Sequence, residues 1–323
     1  MPWLAVRDLA VAFPRGPGWL PVIDGVSFTL EGEDTLGLAG ESGSGKTLSL
    51  LALGKLVPAP GRITGGSVTV DGVDVLAAPE EALARLRGGV LGFVFQQPAL
   101  AFNPVLNVGR QVAEAALLHG MPARKAKERA LELLAAVGLV PPGEFFKAYP
   151  HQLSGGQIQR AAVAAACSGS PKALVLDEPT SALDPLAQAA FVNLLADLVA
   201  QFRLSLLLAT HDLSLLSRLC RHVAVLAVGE TVEQGPAAEV VSEPLHPATI
   251  HLVSRSPGGT GEIPKERAKF ETRGFPPQLP GCRFAPRCPW VFARCWHERP
   301  ALAPVGGGRR VRCFLHHQES DDA

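Results

Sequence analysis

The chain lacks an excess of either charge: thirty Lys and Arg against thirty Asp and Glu over 323 residues leave a formal net charge of zero. A protein that holds nucleic acid chiefly by neutralising phosphates carries a basic excess, so no nucleic-acid partner is expected. It also lacks an unbroken apolar run near the roughly 18–20 residues that cross a bilayer; the longest, such as 204–209, are strand-sized. The first ten residues lack the pattern of a signal peptide, because Arg7 and Asp8 interrupt a strand-like alternation. The expected place is therefore the cytoplasm, where six cysteines serve as thiols or metal ligands rather than disulfides. With 47% apolar and 19% charged residues, extensive disorder is excluded, and the length suits about two domains.

The apolar pattern alternates between periods. Segments 4–13 and 22–30 read as strands around a Pro/Gly turn over 14–21. A short apolar run from Thr35 to Ala39 leads into a glycine cluster, then a Leu-rich helical segment over 46–57. Strand-like runs follow at 68–70, 90–95, 173–176, 204–209 and 223–228, with a helix at 185–202. Between them, 111–119 and 124–137 carry apolar residues at three- and four-residue spacing and read as helices. Strands alternating with helices imply a parallel sheet covered on both faces, here interrupted by a helical insertion. Past about 254, Gly/Pro-rich stretches at 256–261 and 275–281 flank a charged run at 262–273, the texture of a linker into a separate small module.

Gly40-Glu41-Ser42-Gly43-Ser44-Gly45-Lys46-Thr47 fits G-x-x-x-x-G-K-[ST], after an expected strand and opening an expected helix. Its glycines let backbone N–H groups wrap a β-phosphate, and the helix N-terminus adds its positive end. Lys46 would reach the β- and γ-phosphates, and Thr47 would hold Mg²⁺ through its hydroxyl. Asp177 and Glu178 end the apolar run 173–176, at the carboxyl edge of the sheet beside those phosphates. There Asp177 would hold Mg²⁺ and Glu178 would polarise the attacking water.

Leu153-Ser154-Gly155-Gly156-Gln157, just upstream of Asp177, resembles the signature motif of ABC-transporter ATPases. Gln96 resembles the Q-loop, Ser181-Ala182-Leu183-Asp184 the D-loop, and His211 the switch histidine, all in the family's order over about 4–235. The resemblance implies an α/β P-loop ABC ATPase with a RecA-like core, a β-subdomain and an inserted helical subdomain. It places a nucleotide-binding domain over 1–253, with the helical subdomain at about 98–170, and a C-terminal extension over 254–323. Two such subunits would pack head to tail, so that Ser154, Gly155, Gly156 and Gln157 cover the ATP of the partner and Asp184 joins from the D-loop. Gln96 would sense the metal and the water and connect to the surface that meets the permease, and His211 would contact the γ-phosphate. Phe13 would stack on adenine, or else ends its strand as a core residue. Gln152 stands where relatives often carry Glu, which puts a charge-mediated contact there in doubt.

Cys282, Cys288, Cys295 and Cys313 crowd four of the six cysteines into the last 42 residues, without the close C-x-x-C pairs of a zinc ribbon. Between the first and last of them lie seven arginines and one acid, Glu298. That field would lower thiol pKa values and favour an anionic cluster; otherwise the arginines are a solvated basic surface. Five aromatics, Phe284, Trp290, Phe292, Trp296 and Phe314, are expected to shield the site. The run from Gly281 to Pro289 resembles the C-terminal extension of ATP-binding subunits in oligopeptide and dipeptide importers. Some of that group hold a [4Fe–4S] cluster on these four cysteines; zinc or unligated thiols are the alternatives. Cys167 and Cys220 read as small buried hydrophobes.

The expected protein is thus an ATP-hydrolysing subunit that drives peptide import, with ATP, Mg²⁺ and a [4Fe–4S] cluster. Its partners would be a second, non-identical ABC ATPase, two membrane permease subunits and an extracytoplasmic solute-binding protein. It would lie at the cytoplasmic face of the cell membrane, attached through the permease. Import of nickel or an oligosaccharide is the alternative within the fold. A soluble ABC ATPase acting on ribosomes or DNA is the alternative outside transport, disfavoured by the single nucleotide module and the absence of a coiled-coil insertion.

Overall fold

Period-two alternation in the first thirty residues builds a long hairpin. In the computed structural model, which describes residues 2–181, 183–255 and 279–316, Leu4–Arg15 pairs antiparallel with Gly18–Leu30. The turn expected over 14–21 contracts to Gly16 and Pro17, with Pro14 opposite Trp19. Pro14 lies beyond Ala12, the last residue paired to the third strand, Arg62–Val70, so its missing N–H breaks no ladder bond there. Leu4, Val6, Leu9, Val11, Ile23 and Val26 turn inward and are fully buried.

The second sheet carries the chemistry. Its five parallel strands lie in the spatial order Leu91–Val94, Ala173–Asp177, Ser205–Thr210, Thr35–Ala39 and His222–Ala227. The three central ones are buried along their whole length, as strands covered on both faces must be. Because they run the same way, their carboxyl ends bring Gly40, Asp177, Glu178 and His211 to one edge. The helix after Thr35–Ala39 is Lys46–Ala52, shorter than expected: Gly54 follows its cap and Lys55 turns left-handed at φ 53°.

The insertion is helical as expected. Val108–Leu118, Ala123–Ala136 and Gly155–Cys167 pack through Val108, Val112, Ala116, Ala126, Ala130, Leu133 and Leu134, a cluster of apolar side chains at three- and four-residue spacing. One further helix, Pro185–Phe202, meets the length and mean hydropathy of a bilayer span at 18 residues and 1.3, although Gln188, Asn193 and Asp197 break its apolar run. Phe191, Val192, Leu195 and Leu198 bury one of its faces in the core.

The tail departs from expectation. Rather than standing as a separate irregular module, it extends the main sheet: Arg309–Val311 pairs antiparallel with Glu230–Pro236, and Ala303–Gly306 pairs with Arg309–Val311. Arg294 and Arg310 are exposed, but most of its arginines engage the body rather than the solvent. Arg309 Nη2 lies 2.5 Å from Glu233 Oε1, with exposures of 8% and 0% for the two side chains. Arg299 pairs with Asp24 and with buried Glu230. Arg283 reaches the carbonyl of Pro21 and pairs with Asp24, and Arg312 donates to the carbonyls of Thr231 and Pro300. These four dock the tail on the body, and a fifth of the seven, Arg287, lies 4.0 Å from Glu41. The expected linker segments 256–261 and 262–273, most of 275–281, Ala182 of the D-loop and the acidic end Glu319, Asp321 and Asp322 lie outside the described residues.

Candidate functional site

Residues 40–45 wrap tightly because glycine stands where a side chain has no room. At Gly40 a Cβ would collide with the carbonyl of Leu226 and with Ser44, and Gly45 caps the following helix at φ 107°, in the left-handed region. The loop closes on Lys46, 5% exposed, whose Nζ donates to the carbonyls of Gly40 at 2.8 Å and Glu41 at 3.1 Å. In front of it lies a cavity of about 330 Å³. Ser42, Gly43, Ser44, Gly45, Lys46 and Thr47 line it together with Gln96, Glu178, Ser181 and His211.

The two carboxylates divide sharply. Asp177 is 5% exposed, and burial pushes its carboxyl above the usual range against the opposing hydrogen bond from Thr47 and the charge of Lys46. Its Oδ1 has no hydrogen-bond partner among the described residues. A buried acceptor left open beside a hydroxyl is what a hard divalent cation requires, so Asp177 and Thr47 fit Mg²⁺. Glu178 is held by three neighbours: Lys46 Nζ lies 3.4 Å from Oε1, and Oε2 accepts from Thr210 Oγ1 at 3.3 Å and His211 Nδ1 at 3.0 Å. A carboxylate only accepts, so Nδ1 carries the proton and Nε2 is the free ring nitrogen of His211. Glu178 also sits at φ 45°, a left-handed conformation that a non-glycine residue adopts only when its surroundings impose it. Such an arrangement can hold an anionic phosphate chain at Lys46 and fix a proton acceptor within reach of it.

The sequence did not reveal the direct bond between Glu178 and His211, nor the places of Thr210 and Val22; Ser181, named there with the D-loop, lines the cavity. Thr210 had a signal, since it ends the buried strand before His211; Val22 had none. Several expected site residues stand elsewhere. Phe13 lies outside the cavity lining, its ring packed over Gly61, where a Cβ would clash with it. Asp184 accepts from the N–H of Ala187 at 2.9 Å and caps Pro185–Phe202. Ser154 caps Gly155–Cys167 in a reciprocal box with Gln157, and 154–157 do not line this cavity. Gln152 accepts from the N–H of Tyr149 at 2.8 Å, a bond that needs no charge.

In the tail, the expectation of lowered thiol pKa values is overturned. Burial pushes Cys282 up to about 11 and Cys288 up to about 12, and raises Cys313, while each would repel other thiolates of the set. The amides of Phe284, Trp290 and Leu315 donate to these three sulfurs and lower them less than burial raises them. Among the described residues no three His, Cys, Asp or Glu side chains are grouped to hold a metal, so the structure supports neither the expected cluster nor zinc on the four tail cysteines. Cys167 and Cys220 are buried, with pKa values pushed up to about 12 by desolvation.

Comparison with known proteins bears on the whole chain. A family described as ABC transporter matches residues 23–181, and one described as oligopeptide/dipeptide transporter, C-terminal region, matches 232–295. The chain is 40% identical over 319 residues to the oligopeptide transport ATP-binding protein AppD of Bacillus subtilis, spanning 98% of this chain and 97% of that one. It is 38% identical over 317 residues to OppD of Salmonella typhimurium, spanning 96% and 93%. Among solved structures, the dimeric post-hydrolysis state of the ATP-binding cassette MJ0796 bound to ADP and Pi aligns at TM-score 0.65 and 26% identity, over 72% of this chain and 98% of that one.

Proposed function

The chain belongs to the ABC-transporter ATP-binding proteins of oligopeptide and dipeptide uptake, and from that premise we propose how its residues divide the work. It is an ATPase that powers peptide import. The observation that carries the reading is the joining of Lys46, Glu178 and His211 around one cavity at the carboxyl edge of the parallel sheet, in a chain similar to peptide importers over its full length.

In the proposed mechanism the N–H groups of 43–47 and the Lys46 ammonium bind the β- and γ-phosphates. Glu178 accepts hydrogen bonds from the attacking water and orients it in line with the γ-phosphate. His211, held at Nδ1 by Glu178, presents Nε2 to the same region, and Gln96 of the same lining helps position the water. Asp177, Thr47 and Gln96 would hold Mg²⁺, which when bound neutralises charge on the transferred phosphoryl group. Ser154, Gly155, Gly156 and Gln157, with Asp184 nearby, serve the ATP of a second ATPase subunit. Ser154, Gly155 and Asp184 are exposed, Gly156 and Gln157 half-buried, and none lines this chain's own cavity, which supports that use. Hydrolysis removes the γ-phosphate contact made only in the closed pair and lets the pair reopen.

The permease would dock beside the Q-loop. A second cavity of about 310 Å³, between the core and the helical insertion, is lined by Leu56, Phe93, Phe95, Gln111, Glu114 and Leu118. Phe95 and Leu118 are exposed there, an apolar surface that a partner at the cytoplasmic face of the membrane would cover. The second ATPase is taken to be non-identical and cargo to come from an extracytoplasmic binding protein. Cys282, Cys288, Cys295 and Cys313 would hold a [4Fe–4S] cluster. Amide donors to three of the sulfurs would stabilise an anionic group there. When bound, the cluster would cross-link the turns of the tail.

Reconstitution with the permease and binding protein tests the function. ATP-dependent uptake of labelled oligopeptide is expected, and vesicles that hydrolyse ATP yet accumulate nickel or oligosaccharide instead of peptide overturn it. Anaerobically purified chain should carry iron and sulfide near four each; one zinc per chain refutes the cluster.

A further inference from the structure

In a loop that receives a triphosphate, Glu41 carries the wrong sign. Its main chain is essential to the loop, since the carbonyl accepts from the N–H of Ser44 at 3.1 Å and from Lys46 Nζ at 3.1 Å. Its carboxylate, however, does not line the phosphate cavity. Oε1 lies 3.1 Å from His251 Nδ1 and Oε2 lies 4.0 Å from Arg287 Nη1. The hydrogen bond with His251 is the largest influence holding the carboxyl below its usual range; burial opposes it, and the charges of His251, Arg287 and Arg255 add to it. His251 belongs to the helix Pro247–Arg255 and is 8% exposed, so it is fixed by its own packing. Arg287 ends the turn Ala285–Arg287, immediately before Cys288. Both partners therefore come from beyond the nucleotide-binding motifs, one from the last helix of the body and one from the tail.

We propose that His251 and Arg287 are positioning residues for ATP binding: they draw the Glu41 carboxylate away from the phosphate site, neutralise it, and tie the shape of the phosphate loop to the C-terminal tail. The inference rests on the nucleotide reading above and deepens it. Released from either partner, Glu41 is less well held and less neutralised, and its negative charge bears on the bound phosphates. Coupling is reciprocal, so a tail displaced from the core weakens ATP binding and bound ATP holds the tail in place.

The test is a fluorescence titration of the full-length chain with mant-ATP and Mg²⁺. Arg287→Gln and His251→Gln are each expected to bind about fivefold more weakly than the parent chain, at the low end of measured site-to-site couplings. Adding Glu41→Gln to either should restore binding to within about twofold, because the charge that needed holding is gone. In the assembled transporter the loss should appear in KM rather than in kcat. A double variant as weak as its single parent would show that the contacts only build the fold, and single variants that bind as tightly as the parent chain would also overturn the proposal. Because His251 and Arg287 lie on different elements, failure of one variant to fold leaves the other cycle to decide. A parent chain that does not bind mant-ATP at all would overturn the nucleotide reading itself.

Discussion

Around the phosphate loop, charged groups are held in place and left available; in the tail they are consumed by the chain itself. Asp177 keeps a buried oxygen without a partner among the described residues, and Lys46 bonds to carbonyls that a phosphate can replace. By contrast, Arg283, Arg299, Arg309 and Arg312 each end on a carboxylate or carbonyl of the body or on the tail's own turns. An arginine-rich stretch beside cysteines thus speaks of attachment here, and a sparse set of charges around glycines speaks of a ligand. The same residue types differ in meaning because one set is satisfied within the chain and the other is not.

The largest expected effect breaks the open side of this contrast. Glu178→Gln keeps the size of the side chain and removes the charge that orients water and engages His211. Turnover in the reconstituted transporter should fall by about 10²- to 10⁴-fold, the range typical of losing a general base. Affinity for mant-ATP should change far less, since Lys46 and the loop amides remain. Phosphate release at the parent rate would remove Glu178 from its assigned role.

The closed side is broken at Arg309. Glu233, with 0% exposure, accepts from Arg309 and from the N–H groups of Leu245 and His246. Arg309→Met leaves that carboxylate buried without its cation, which should cost about 3–5 kcal/mol in denaturant unfolding. The double variant Glu233→Gln with Arg309→Met should recover much of it. If instead Arg309→Met unfolds like the parent chain, the tail is not docked by this pair.

These two sites also mark what the amino-acid pattern could show. The parallel strands, the phosphate loop and the helical insertion were legible because burial on both faces leaves unbroken apolar runs, and a phosphate cradle demands glycine at fixed positions. The strand Glu230–Pro236 was not, because Glu230 and Glu233 are buried charges that look exposed in a pattern. Nor was the hairpin of Ala303–Gly306 and Arg309–Val311, too short and polar to show alternation. Within the site, Lys46, Asp177, Glu178 and His211 stood out by order along the chain. The contacts of Glu41 with His251 and Arg287 span more than two hundred residues, and no local spacing encodes them.

The smallest predicted effect sharpens the contrast at the seam where the tail meets the body. His246 is 2% exposed, its Nδ1 accepts from the N–H of Ala248 at 3.0 Å, and its ring meets Phe284 of the tail edge-on at 5.4 Å. Burial first, then the charges of His316 and Arg312, lower its pKa from 6.5 to about 3. Below pH 6.5 the unfolded chain takes up a proton that the native chain refuses until about pH 3. The stability contribution is therefore complete above the unfolded value and is lost as pH falls through that window, by about 1.4 kcal/mol between pH 7.5 and 5.5. His246→Gln retains an acceptor for Ala248 and has nothing to titrate, so its unfolding free energy should fall less over the same range by about that amount. Denaturation curves at both pH values measure the difference between the two chains, in which the other titrating groups cancel. Equal slopes would mean that His246 is protonated in the native chain, and that the seam is as open to solvent charge as the phosphate site.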